Sequence, residues 1–184
     1  MAFTHALVGA LLAAPVVALA PEFAVPAATA GMVGGLAPDL DLFVGRHRRT
    51  LHFPVVGWAL ALPTIAVAAV APTAGTVAAA VGCTSFALHA GTDALGAGDE
   101  IRPWERTSPE AAYDHLHDRW IGPRYWIRYD GAPEDVAATA ALAAPVVAFY
   151  PAPLPAVAAV CVVLGVAYAV VRRRLPPVVE ELVG

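Results

Sequence analysis

Seven side chains between residues 5 and 93 have the chemistry of metal ligands: His5, Asp39, Asp41, His47, His52, His89 and Asp93. Imidazole nitrogens together with carboxylate oxygens suit Zn, Mn or Fe better than Ca, which prefers oxygen alone. Seven donors exceed the need of one tetrahedral zinc, so the set is sized for one divalent ion or two. Asp39 and Asp41 fall in Ala37-Pro38-Asp39-Leu40-Asp41. Pro38 ends regular helix there, and residues two apart in extended chain point the same way. His47 and His52 bracket Arg48-Arg49-Thr50-Leu51, and His89 and Asp93 are four apart, the spacing of one helical face. A bound divalent ion lowers the pKa of water toward about 7. Asp41 or Asp93 is the carboxylate expected to orient that water or act as its base.

The elements that must carry these residues are apolar. The chain is 59% hydrophobic and 14% charged, against about 45–50% and about 25% in soluble domains, and its mean hydropathy is +0.65. A water-soluble fold of 184 residues could not bury that surplus, so the bilayer is its natural solvent. Apolar runs lie at 3–20, 23–37, 54–71, 74–96, 136–150 and 154–171. Spans need about 20 residues, and the second and fifth runs are short. Pro26, Gly31, Gly34 and Gly35 make the second a close-packed or broken helix. Ala18-Leu19-Ala20 has the form of a signal-peptide cleavage site, but no positively charged leader precedes it, so the first helix is expected to be retained. The expectation is one all-α polytopic domain over 1–184 with about six transmembrane helices. Helices one to four (1–96) carry the site, helices five and six cover 136–171, and 172–184 is a tail.

Arginine placement sets the topology. All eleven basic residues are Arg, a usage that, with the abundant Ala and Val, suggests a high-GC genome such as a halophilic archaeon's. They cluster at 46–49, 102–128 and 172–174, which follow the second, fourth and sixth runs. With six spans and both termini cytoplasmic, every Arg lies inside. The polar stretch 97–135 is expected to hold a helix lying on the cytoplasmic leaflet. Ser108-Pro109-Glu110 starts it, Gly122-Pro123 stops it, and Ala112, Tyr113, Leu116 and Trp120 form its apolar face. The alternative is a small cap touching only the other helices.

This topology brings the seven candidate ligands to the cytoplasmic ends of four helices. Ionisable groups at membrane depth cost about 2.5–3.5 kcal/mol each, which makes their convergence a functional signal. The pattern of an N-terminal His5, Pro38-Asp39-Leu40-Asp41, His47-Arg48-Arg49-Thr50-Leu51-His52 and His89-x-x-x-Asp93 resembles the YdjM-like family of predicted membrane-bound metal-dependent hydrolases. The resemblance covers residues 3–96 and implies a hydrolase whose metal is held by these residues. The chain departs from the family at Leu42, where His is common, and at Phe53, where Ser is frequent; both bear on a second metal or a substrate contact.

The expected activity is hydrolysis at the cytoplasmic membrane face of an ester or phosphoester on a membrane-surface or lipid-like anionic substrate. A metal or proton transporter, or a structural protein stabilised by its metal, is the alternative. Arg48 and Arg49 are placed to receive an anionic group, or simply to set topology. Asp114, His117 and Asp118 read as one solvated helix face, with extra metal ligands as the alternative, and Cys83 and Cys161 as small buried hydrophobes. Net charge −4 without a basic face argues against a nucleic-acid partner. No phosphate-binding glycine loop, nucleophile elbow or paired-cysteine zinc motif is present.

Overall fold

A computed structural model describes residues 1–183; Gly184, the end of the expected tail, lies outside the described residues. Helices dominate. In chain order they are α1 (Ala2–Leu11), α2 (Ala14–Leu19), α3 (Ala24–Leu36), α4 (Trp58–Val70), α5 (Ala74–Thr92), α6 (Pro133–Phe149), α7 (Leu154–Val171) and α8 (Leu175–Val183). A two-stranded hairpin, β1 (Ala112–Asp114) and β2 (Arg119–Ile121), is the only sheet among the described residues.

Every apolar run becomes helix, but six membrane-length spans do not form. Among the described residues three stretches are long and apolar enough to cross a bilayer: Ala2–Leu19, Ala74–Leu95 and Leu154–Val178. Helices α3 and α4 have 13 residues each, about 20 Å at 1.5 Å per residue against about 30 Å of hydrocarbon. Helix α6 has 17 residues and carries Glu134 and Asp135 in its first turn. The outward faces of the helices are nonetheless apolar: Val33, Leu60, Val70, Val163 and Val170 are all exposed.

Helices α1, α3 and α5 approach backbone to backbone. A Cβ on Gly9 would collide with the carbonyl of Gly31, and one on Gly31 with the carbonyl of Gly9. Gly34 meets the Gly82 carbonyl in the same way, and Gly35 meets that of His5. Glycines at such crossings are the usual device for close helix packing. Despite its four Pro and Gly residues α3 is unbroken, because Pro26 falls in the first turn, where its missing N–H leaves no bond unmade. Helix α5 starts at Thr73, whose hydroxyl accepts from the Thr76 amide (3.1 Å) while the Thr76 hydroxyl accepts from the Thr73 amide (2.9 Å), a reciprocal cap. Helices α6 and α7 complete the core. Val146, Tyr150, Leu154, Ala158 and Cys161 pack on Leu7, Ala10, Ala28 and Met32, and the Tyr150 hydroxyl donates to the Ala10 carbonyl (3.0 Å).

Stretch 97–135 holds no helix over 108–123; the amphipathic leaflet helix is replaced by the hairpin. Tyr113 and Trp120 do share a face, but as cross-strand partners with ring centroids 5.1 Å apart. The turn is built by Asp114, whose Oδ1 accepts from the Leu116 (3.0 Å) and His117 (3.4 Å) amides, and Asp118 takes the left-handed conformation that closes it (φ 51°). The Tyr113 amide donates to the Arg48 carbonyl (3.0 Å), and the amides of Arg124, Tyr125 and Trp126 donate to the carbonyls of Ala94, Gly96 and Leu95. The stretch is thus a cap over the ends of the helices. Arg46 pairs with Glu110, and Arg172 with Asp130. All three Arg-bearing segments therefore meet at one end of the molecule.

Candidate metal centre

Helix α1 presents His5 one turn from its start, where it is 4% exposed. Helix α3 stops at Leu36, and the chain tightens into a 3-10 helix over Ala37–Leu42, with Pro38 in its first turn. Asp39 and Asp41 are therefore not in extended chain and do not point together. With about three residues per turn, residues two apart diverge. Asp39 faces α5, whereas Asp41 faces the 47–52 loop. Helix α5 contributes His89 in its last turn, and Asp93 begins the 3-10 turn that follows.

Four of these residues converge. His52 Nε2 lies 3.0 Å from Asp93 Oδ2 and 4.0 Å from Asp39 Oδ1. His89 Nε2 lies 3.4 Å from both Asp39 Oδ1 and Asp93 Oδ2. Metal–ligand bonds of about 2.0–2.2 Å set donor atoms about 3.0–3.6 Å apart around one tetrahedral ion. Three of these separations fall in that range, the His52–Asp39 one is longer, and all four atoms lie within 4.8 Å of one another, a group that could hold one ion. His89 Nε2 is buried and makes no hydrogen bond, while its Nδ1–H donates to the Gly35 carbonyl (2.6 Å). That bond fixes the ring's orientation and aims Nε2 at the two carboxylates, where a proton or a metal ion can sit between them. A buried nitrogen without a hydrogen bond, 3.4 Å from each of two carboxylate oxygens, is the feature that fits a divalent cation best.

Asp41 stands behind this set. Its Oδ2 receives His52 Nδ1 (2.9 Å) and the Leu51 amide (3.2 Å), and its Oδ1 meets His47 Nδ1 (2.8 Å). Asp41, His47 and His52 form a second group with metal-ligand spacing. The two groups share His52, and a neutral imidazole has one lone pair. With His52 Nδ1–H committed to Asp41, its Nε2 serves the first group and Asp41 is an orienting carboxylate. His5 flanks the centre: its Nε2 is 3.7 Å from Asp93 Oδ1, and its ring sits 4.0 Å from that of His89.

A cavity of about 480 Å³ opens beside the cluster, bounded by His5, Asp39, His47, Arg48 and Asp93 on one side and reaching Thr139, Gly165 and Tyr168 between α1, α6 and α7. Asp39, the most exposed of the four converging ligands, faces it. Burial works against ionisation of Asp39, but the facing His89 holds its carboxyl below the ordinary value. The cavity wall includes Asp99 and Glu100, which the spacing of potential ligands does not reveal. The Asp99-Glu100 pair is visible in the sequence after Gly96-Ala97-Gly98, but nothing local assigns it a partner. Burial pushes the Asp99 carboxyl up, with His47 and Arg48 pulling the other way.

The Asp114–Asp118 segment stays with the hairpin. His117 Nδ1 pairs with Asp114 (2.7 Å), and the Tyr113 hydroxyl donates to Asp118. Arg49 stacks on Tyr113, 4.2 Å from the ring centroid, whereas Arg48 turns to the cavity. Cys83 and Cys161 are both free thiols. No known family, curated protein or solved structure matches this chain, so the chemistry of the centre rests on its own residues.

Proposed function

We propose that the chain is a multi-pass membrane protein of the YdjM-like type that hydrolyses an ester or phosphoester at the cytoplasmic face, using a divalent metal held by Asp39, His52, His89 and Asp93. The observation that carries this reading is the convergence of these four donors beside a cavity large enough for a small substrate, with Asp39 and Asp93 on its wall and His52 and His89 buried behind them. An ion held there supplies Lewis acidity and a water of lowered pKa. The protein's own residues do the rest. Asp41 holds His52 in one tautomer, and the Gly35 carbonyl does the same for His89. Asp93, which lies on the cavity wall and reaches both imidazoles, is placed to orient the attacking water, and Arg48 to meet negative charge developing on the substrate. In the hydrolysis a water O–H adds across the scissile bond: the oxygen joins the acyl or phosphoryl centre, and the leaving alcohol takes the proton.

Sidedness follows from the arginines. Met1 and Leu175 line one cavity, so the start of the chain and the end of α7 share one end of the molecule. The same end carries the three Arg-bearing segments, which favours placing it, with both termini, in the cytoplasm.

The test is metal analysis and hydrolysis of bis(p-nitrophenyl) phosphate and p-nitrophenyl butyrate by protein purified in mild detergent. About one bound Zn, Mn or Fe per chain, with chelator-sensitive turnover lost in Asp39→Asn, is expected. Turnover that survives both chelation and Asp39→Asn would remove the metal from the reaction. Bound metal without turnover of either ester class would favour a stabilising role.

A further inference from the structure

The cavity beside the cluster has two unlike ends. At one end Arg48 sits in the left-handed conformation (φ 59°), a strain of about 1 kcal/mol or more that persists only where surrounding contacts hold it. Its guanidinium donates to the Ala97 and Ala111 carbonyls, while its Nε is buried without a hydrogen-bond partner. Away from Arg48 the wall passes to Phe3, Val136 and Gly165, on α1, α6 and α7. The acids at that end are already engaged: Asp130 by Arg172 and Tyr168, and Asp135 by the Thr4 hydroxyl and the Gly131 amide. At the Arg48 end the wall also carries Asp39, Asp93, Asp99 and Glu100, so Arg48 would receive an anion together with the ion held by Asp39 and Asp93, and the far end offers Phe3, Val136 and Gly165 to an apolar chain.

We propose that the cavity binds a single-chain phosphate amphiphile, with its phosphate at Arg48 beside the cluster and its alkyl chain along Phe3, Val136 and Gly165. This assignment rests on the metal-centre reading for the position of the headgroup and names the substrate class of that site. Gly165 is what keeps the chain's path open. A Cβ there would lie 3.8 Å from Phe3 and Thr139, ordinary contact, so a larger side chain would grow into the cavity rather than into backbone.

The experiment measures binding of inorganic phosphate, butyl phosphate and dodecyl phosphate to the full-length, metal-loaded protein in maltoside micelles by titration calorimetry. It uses wild type, Gly165→Leu and Arg48→Gln, with metal content determined for each. Dodecyl phosphate is expected to bind at least about tenfold more tightly than butyl phosphate to wild type. Gly165→Leu should remove that difference with metal content unchanged, and Arg48→Gln should weaken both alkyl phosphates. Equal affinity for butyl and dodecyl phosphate, a chain-length effect that survives Gly165→Leu, or binding of inorganic phosphate as tight as that of dodecyl phosphate would overturn the proposal. Chain-length-dependent binding without hydrolysis of any ester would retire the hydrolase reading and leave the ligand assignment standing.

Discussion

Asp39 and Asp41 are two residues apart, yet the structure gives them different work. Asp39 faces the Nε2 atoms of His52 and His89 and the cavity, so Asp39→Asn removes one ligand charge at nearly constant volume. Metal content should fall to background, as measured by plasma emission on purified protein, while membrane insertion is retained. Asp41 is 1% exposed and accepts from His47, His52 and the Leu51 amide. Asp41→Asn places an NH2 where an N–H already points. Loss of such an orienting partner costs about 10–100-fold in metal affinity, which metal titration of the stripped protein would measure. Metal affinity unchanged in Asp41→Asn would show that His52 needs no carboxylate behind it. The sequence shows both aspartates as candidates, but not their separation. That depends on the chain tightening into a 3-10 helix after Pro38 rather than extending.

At the scale of elements, the candidate ligands of α1, α3 and α5 are brought together because these helices pack backbone to backbone. Gly31→Val would drive two methyl groups toward the Gly9 carbonyl and separate α1 from α3. Overpacking of this kind costs about 1–3 kcal/mol or more. Because Asp39 follows α3 directly, the same change should also loosen metal binding. A lowered melting temperature together with reduced metal content is the expected result; full metal occupancy at wild-type stability would show that the crossing does not position the site. The hairpin makes a separate claim. Trp120→Ala removes the partner of Tyr113 and the face on which Arg46 stacks, 4.7 Å from the ring centroid. It should cost about 1–3 kcal/mol in the cap while leaving helix content by circular dichroism unchanged. A comparable loss of helical signal would mean that the 108–123 stretch is helical after all.

For the whole molecule, the prediction concerns sides. Arg46, Arg48 and Arg172 all contact the cap, so the three arginine clusters must move together across any topology. Reporter fusions within the 97–135 stretch and at the C-terminus should both read cytoplasmic. An external signal from either would separate segments that the structure holds in contact. The short helices α3 and α4 would sit in a locally thinned or protein-lined region of the bilayer.

Hydropathy and residue chemistry alone were enough to mark the helical character, the six apolar runs and the seven candidate ligands, because apolar runs and polar side chains are local properties of the chain. His89 and Asp93 could be paired on paper because a helix repeats every 3.6 residues. The sequence was misleading at 108–123, where a spacing compatible with a helix face is equally that of two strand partners across a tight turn. Which pairing wins depends on amides that find acceptors far along the chain, such as Tyr113 on Arg48. The lengths of α3 and α4, the turn of Asp41 away from Asp39, and the cavity joining Arg48 to Gly165 likewise come from packing between distant segments. Tertiary structure decides these because a side chain's direction and a cavity's wall are set by neighbours that local sequence does not name.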